Sequence, residues 1–197
     1  VLIKIFFSLF TIFYYSKGDM HAFQKDGNLF CDSFYNDFTS FFKILIFNEY
    51  DDIDLKYQFQ YWAKPRALFM SKIVGVFSIL TNNSIELNGI YLSLFNLSGA
   101  MFLLSVIKKH ENKLLIVSSI TLFFVPSIVF NTSGLMKETI AIAGLYYILG
   151  CFLLLYYKHF KLTHLIVFAI SVFLIFNIKY YYLAVIFPLS LLYIMLF

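Results

Sequence analysis

Charge is what this chain has little of. Only 13% of its 197 residues are Asp, Glu, Lys or Arg, against about 25% in an ordinary soluble domain. So few charges cannot cover a water-soluble globule, which excludes a soluble enzyme, a disordered tail and a secreted disulfide scaffold. Cysteine is as scarce: Cys31 and Cys151 stand far apart in different surroundings, so there is neither a disulfide framework nor a zinc pattern. No second histidine or acid stands at ligand spacing from His21, and no metal site or cofactor is expected. The basic residues are scattered singly, so the formal charge of +4 carries no nucleic-acid signal. No small-residue cleavage site follows the first apolar run, which argues against a signal peptide. The apolar runs also lack the alternation that a transmembrane barrel strand needs.

What is present is apolar: 61% hydrophobic residues, 21% aromatic, and a mean hydropathy of +0.81. This points to an integral membrane protein of the all-α, polytopic helical-bundle class. The apolar segments are 1–15, 66–80, 85–107, 114–130, 139–157, 162–178 and 180–197. A spanning helix needs roughly 20 apolar residues, within about 17–25. Residues 1–15 count as a shortened span, so six spans are expected. The chain starts at Val1 inside one apolar run and stops at Phe197 inside another, and it reads as a fragment forming one transmembrane domain.

The scarce charge is concentrated. Residues 17–64 hold eight of the eleven acids (Asp19, Asp26, Asp32, Asp37, Glu49, Asp51, Asp52, Asp54) against five lysines, whereas everything else is basic. This acidic segment reads as a large first loop. Cys31 lies within it, so an impermeant thiol reagent is expected to reach it, whereas Cys151 sits mid-membrane. Segment 66–80 has Ser71, Gly75 and Ser78 at helical spacing beside Lys72. That single polar stripe suggests a helix lying in the interface plane; a short spanning helix buried among others is the alternative. Lys108, Lys109 and Lys113 bound one short loop, and Lys158 and Lys161 another. Positive charge in short loops favours the cytoplasmic side. Residues 131–138 then face outward and, with 66–80 lying flat, so does the 17–64 loop.

Three places could carry chemistry. In Lys17-Gly18-Asp19-Met20-His21-Ala22-Phe23, a carboxylate just beyond a spanning helix is held at fixed depth, where partial desolvation raises its basicity and suits a general base. The competing reading of Asp19 is a solvated residue that ends the helix. His21 beside it is a weaker, substrate-binding candidate. In Pro126 to Glu138, Pro126 bends or ends one helix, and the Asn131-Thr132-Ser133-Gly134 turn precedes Lys137 and Glu138 at the mouth of the next. Lys137 could meet a lipid-linked phosphate or snorkel to the interface. Glu138 suits a helix N-terminus, where the dipole favours an acid, and that role alone would account for it. In Trp62-Ala63-Lys64-Pro65-Arg66, Trp62 reads as an interface anchor. Lys64 and Arg66 could hold lipid phosphates, or anchor headgroups without specificity. Lys179 with Tyr180-Tyr181-Tyr182 reads as an aromatic belt.

The order of these features resembles the GT-C superfamily of integral membrane glycosyltransferases, which use polyprenyl-phosphate-linked sugars. Gly18 to Phe23 looks like the acidic motif near the start of the family's first external loop, with Met20 where a second acid often stands. Lys64 to Phe69 through Thr81-Asn82-Asn83-Ser84 looks like the segment before the second span, and Pro126 to Glu138 like the later external turn. The resemblance implies an inverting displacement at a sugar anomeric carbon. Asp19 would accept the acceptor hydroxyl proton, and Lys137 or the Lys64/Arg66 pair would meet the leaving phosphate. It also implies membrane lipids, a polyprenyl-phosphate-linked sugar and a glycan, lipid or protein acceptor as partners, in a bacterial inner membrane. The other classes the composition admits are a polysaccharide repeat-unit polymerase, a lipid-glycan flippase-like protein, a secondary transporter and a non-catalytic membrane subunit.

Overall fold

The computed structural model describes residues 1–14, 18–50 and 53–196; Lys17, Asp51 and Asp52 of the acidic segment lie outside the described residues. Among the described residues ten helices follow in order: α1 (Leu2–Tyr14), α2 (Asp19–Asn36), α3 (Phe38–Phe42), α4 (Ile53–Gln58), α5 (Pro65–Thr81), α6 (Ile85–His110), α7 (Leu115–Phe124), α8 (Pro126–Asn131), α9 (Lys137–Tyr156) and α10 (Leu162–Leu196). A π-helical turn, Lys43–Phe47, follows α3, and a 3-10 turn, Asn112–Leu114, precedes α7. Among the described residues no strand occurs. Among the described residues, three helices are long and apolar enough to cross a membrane: Ile85–His110, Lys137–Tyr156 and Leu162–Leu192.

The seam of the bundle is the pairing of α6 with α9, which run parallel. Asn96 Nδ2 donates to the Thr139 carbonyl at 3.1 Å, and one to two turns further on Phe102 meets the Tyr147 ring at 5.5 Å. α1 lies antiparallel on α6, with Lys4 beside Asn96 and Ile12 against Gly89. Local signals set the ends of α6. The Ser84 hydroxyl accepts from the Leu87 N–H at 3.3 Å, and Lys108, Lys109 and His110 fill the last turn, where cations suit the dipole.

Segment 114–130 is not one continuous helix. Proline disfavours the helical conformation for the residue before it. Val125 is accordingly extended (φ −71°, ψ 114°), and Pro126 opens a new helix. That leaves α7 with ten residues, about 15 Å, too short to cross alone.

The break between 162–178 and 180–197 is real. α10 is interrupted at Lys179 (φ −147°, ψ 69°), and the Phe168 and Phe187 rings lie 6.1 Å apart. In a straight helix those residues would be separated by about 28 Å. The two arms therefore fold back on each other with Lys179 at the tip, and Phe152 of α9 packs against both rings.

Two further expectations are corrected. The Ser71-Gly75-Ser78 stripe does not face water: all three are buried, whereas Val76 and Leu80 on the other side of α5 are exposed. α2 covers the stripe. A Cβ on Gly75 would come within 2.6 Å of Phe30 Cβ, so the small residues permit close helix packing rather than solvation. Cys31, on α2, is fully buried. Burial, and then the Asp32 charge, push its thiol pKa up, so it is no accessible label. The acidic segment itself is largely helical, carrying α2, α3 and α4.

Candidate functional site

Lys137 and Glu138 open α9 directly after the turn 132–136, and that turn is built from buried polar contacts. The Lys4 ammonium donates to Asn96 Oδ1 (3.1 Å), the Thr132 carbonyl (3.2 Å) and the Thr132 hydroxyl. The Gly134 N–H donates to Ser93 Oγ at 2.8 Å, and the Thr139 hydroxyl to the Gly134 carbonyl at 3.1 Å. Gly134 has φ 86° and lies so close to α1 that a Cβ would meet Thr11 Oγ1 at 2.6 Å. Glycine is required there twice over, for its backbone conformation and for its size.

Asp19 opens α2, where a carboxylate suits the helix dipole. The Tyr61 hydroxyl donates to its Oδ1 at 3.0 Å. Tyr61 is itself anchored. Asp26, about two turns along α2, accepts the N–H groups of Gln60 (2.8 Å) and Tyr61 (3.2 Å), with the Ser71 hydroxyl 3.3 Å away. The Asp26 carboxyl is fully buried, and burial raises its pKa against the pull of those hydrogen bonds. The Tyr61 phenol is pushed up to about 12, first by burial and then by its bond to Asp19 and the charges of Asp19 and Asp26.

These parts meet in one cavity of about 430 Å³, lined among others by Asp19, Met20, Phe23, Lys137, Glu138 and Lys179. Lys179, at the tip of the α10 hairpin, pairs with Glu138. The Lys137 ammonium sits over the Phe23 ring at 5.0 Å and the Tyr61 ring at 5.9 Å, a cation–π arrangement. Lys64 lies 5.8 Å from the Tyr61 ring centroid, and the Arg66 guanidinium stacks on Tyr180 at 4.2 Å. The fold thus gathers two carboxylates and two ammonium groups around one opening, with two more cations nearby. Such a set can accept a proton at one point and stabilise anionic charge at another.

Of the residues singled out in the sequence, Asp19, Lys137 and Glu138 converge on this cavity. Lys64 and Arg66 are exposed on its flank without lining it, and His21 is exposed outside it. Asp19 is also exposed, so the expected partial desolvation belongs to Asp26 instead. Four contributors escaped the sequence reading. Lys179 was hidden in an aromatic run, although a lone lysine between two apolar segments is a visible signal. Asp26 shares a helix face with Phe23 and Phe30, which betrays its burial by spacing alone. Lys4 is a charge inside an apolar run, a functional flag at membrane depth. Nothing local marks Tyr61, whose role depends on a contact between distant segments. No protein-family model matches the chain, and no curated protein or solved structure is detectably similar to it.

Proposed function

We propose that this protein is an integral membrane glycosyltransferase of the GT-C type, moving a sugar from a polyprenyl-phosphate donor to a glycan, lipid or protein acceptor of the bacterial envelope. The observation that carries the reading is the convergence of Asp19 with Lys137 and the Glu138–Lys179 pair in one cavity. It lies at the end of α9 opposite the basic loops at 108–113 and 158–161. By the charge rule those loops are cytoplasmic, which turns the cavity outward.

In the proposed reaction the acceptor oxygen attacks the anomeric carbon and its proton passes to Asp19. Tyr61 occupies Oδ1 of that carboxylate, so Oδ2 is the proton acceptor. The bond between the anomeric carbon and the phosphate oxygen breaks, and the phosphate leaves with the electron pair. Lys137 meets the developing charge. Glu138 holds Lys179 at the cavity wall, and Lys64 and Arg66 steer the anionic donor from the flank.

The test is turnover of a polyprenyl-phosphate-linked sugar by membranes carrying Asp19→Asn. A positioned base contributes about 10²–10⁴-fold, so activity should fall by that factor while the protein stays inserted. Retention of substantial activity would sink the assignment. The topological half of the reading needs an accessible thiol, and Tyr35→Cys supplies one at a position 66% exposed. An impermeant maleimide should label it in intact spheroplasts; labelling only after lysis would remove the external cavity on which the reading depends.

A further inference from the structure

The opposite end of the bundle gathers charge that the reaction does not use. α9 is 20 residues long, so its C-terminal end is about 30 Å from Lys137. There Lys109, Lys158 and Lys161, with His159 and His164, line a second cavity of about 450 Å³ over an apolar floor that includes Leu154. The acid nearest in sequence, Glu111, is engaged by the Tyr157 hydroxyl.

Three details go beyond a row of snorkelling lysines. Lys158 has φ 58°, a left-handed conformation that favours glycine. Its N–H bonds to the Leu155 carbonyl and the His159 N–H to the Leu154 carbonyl, a helix-closing pairing whose left-handed position is usually glycine. A lysine here is held strained at the cavity wall, and strain of this kind collects at functional sites. His164 Nδ1 accepts the Lys161 N–H at 2.9 Å, which leaves its ring proton on Nε2 as a donor. Finally, beside the cavity and outside its lining, His110 is stacked on Tyr157 at 4.2 Å and lies 5.1 Å from His159, and its Nε2 is buried without a hydrogen-bond partner.

We infer that this cavity is a binding site for a phosphate-bearing anion, held by the Lys109, Lys158 and Lys161 ammonium groups and the His159 and His164 imidazoles. Lysine ammonium groups act on phosphate as point charges, and the imidazole donor adds direction. The site sits where α9 ends and α10 begins, at the boundary expected for lipid headgroups, so the anion is either a lipid phosphate diester or a free phosphate. The inference does not depend on the glycosyltransferase reading.

The experiment measures binding to the whole chain in two arms, inorganic phosphate in neutral detergent and nanodiscs of phosphatidylglycerol against phosphatidylcholine, read by native mass spectrometry and calorimetry. Saturable binding in the phosphatidylglycerol arm alone assigns a lipid headgroup, and saturation by phosphate as well assigns the phosphate group itself. Lys158→Gly relieves the left-handed strain, so it should melt no lower than the parent yet bind at least tenfold more weakly. Lys113→Gln, a lysine of the neighbouring 108–113 loop that does not line the cavity, should bind within about twofold of the parent. Saturation in neither arm, unchanged binding in Lys158→Gly, or an equal loss in Lys113→Gln would each overturn the site.

Discussion

Gly134 offers the sharpest test of how the candidate site is built, because two separable penalties fall on one substitution. Alanine at φ 86° incurs the left-handed cost of about 1–2 kcal/mol. Its Cβ would also stand 2.6 Å from Thr11 Oγ1, and forcing a group into packed surroundings costs typically about 1–3 kcal/mol. Gly134→Ala should therefore destabilise by about 2–5 kcal/mol. At about 2–4 °C per kcal/mol for a chain of this size, the melting temperature should fall by about 4–20 °C, followed by circular dichroism in detergent. The two penalties separate in a double-mutant cycle. Thr11→Ala removes the hydroxyl that donates to the Ser8 carbonyl, a bond worth about 0.5–1.5 kcal/mol, and it also opens room for the new methyl. The double variant should recover the packing penalty and keep the backbone one, a favourable coupling of about 1–3 kcal/mol. A drop smaller than about 2 °C in Gly134→Ala, or strict additivity with Thr11→Ala, would show that the turn is not wedged against α1 as described.

Two further outcomes concern the acidic segment. Asp26→Ala strands the Gln60 and Tyr61 N–H groups, each costing about 1–3 kcal/mol when buried and unmet, and Asp26→Asn should cost less because it keeps one acceptor oxygen. Since burial raises the Asp26 pKa, the folded state holds its proton more tightly than the unfolded state. Stability from this group therefore falls as pH climbs from the ordinary carboxylate range through the raised value, and melts from pH 4 to 7 should lose that slope in Asp26→Asn. Asp37 behaves in the opposite way. Hydrogen bonds from Ser40 and Thr39 lower its pKa to about 2, so its contribution is complete above about pH 4 and is lost as pH falls toward 2. Hydrogen exchange at the Thr39 amide should report that loss, and Asp37→Ala should exchange fast at every pH.

Much of the helical layout was legible because it follows from local rules. Pro126 interrupts segment 114–130, as the preference of proline for a helix start favours, and the break between 162–178 and 180–197 falls at Lys179, where the structure bends. The polar stripe of α5 misled because serine and glycine serve equally as a wet face and as a close-packing seam. Only the presence of α2 distinguishes the two. Asp19, Lys137 and Glu138 were identifiable as chemical types at helix mouths, but nothing local related position 19 to position 137.

Composition and periodicity alone determined that this is a helical, membrane-type chain, where its scarce charge lies and where its long apolar helices begin and end, because hydrophobicity, proline geometry and capping act within a few residues. Tertiary structure alone decided which charges are buried, which face of α5 is covered, and that Asp19, Tyr61, Lys137 and Lys179 share one cavity. Those outcomes depend on contacts between segments up to about 160 residues apart, and a helix carries no record of its partner until the two faces pack.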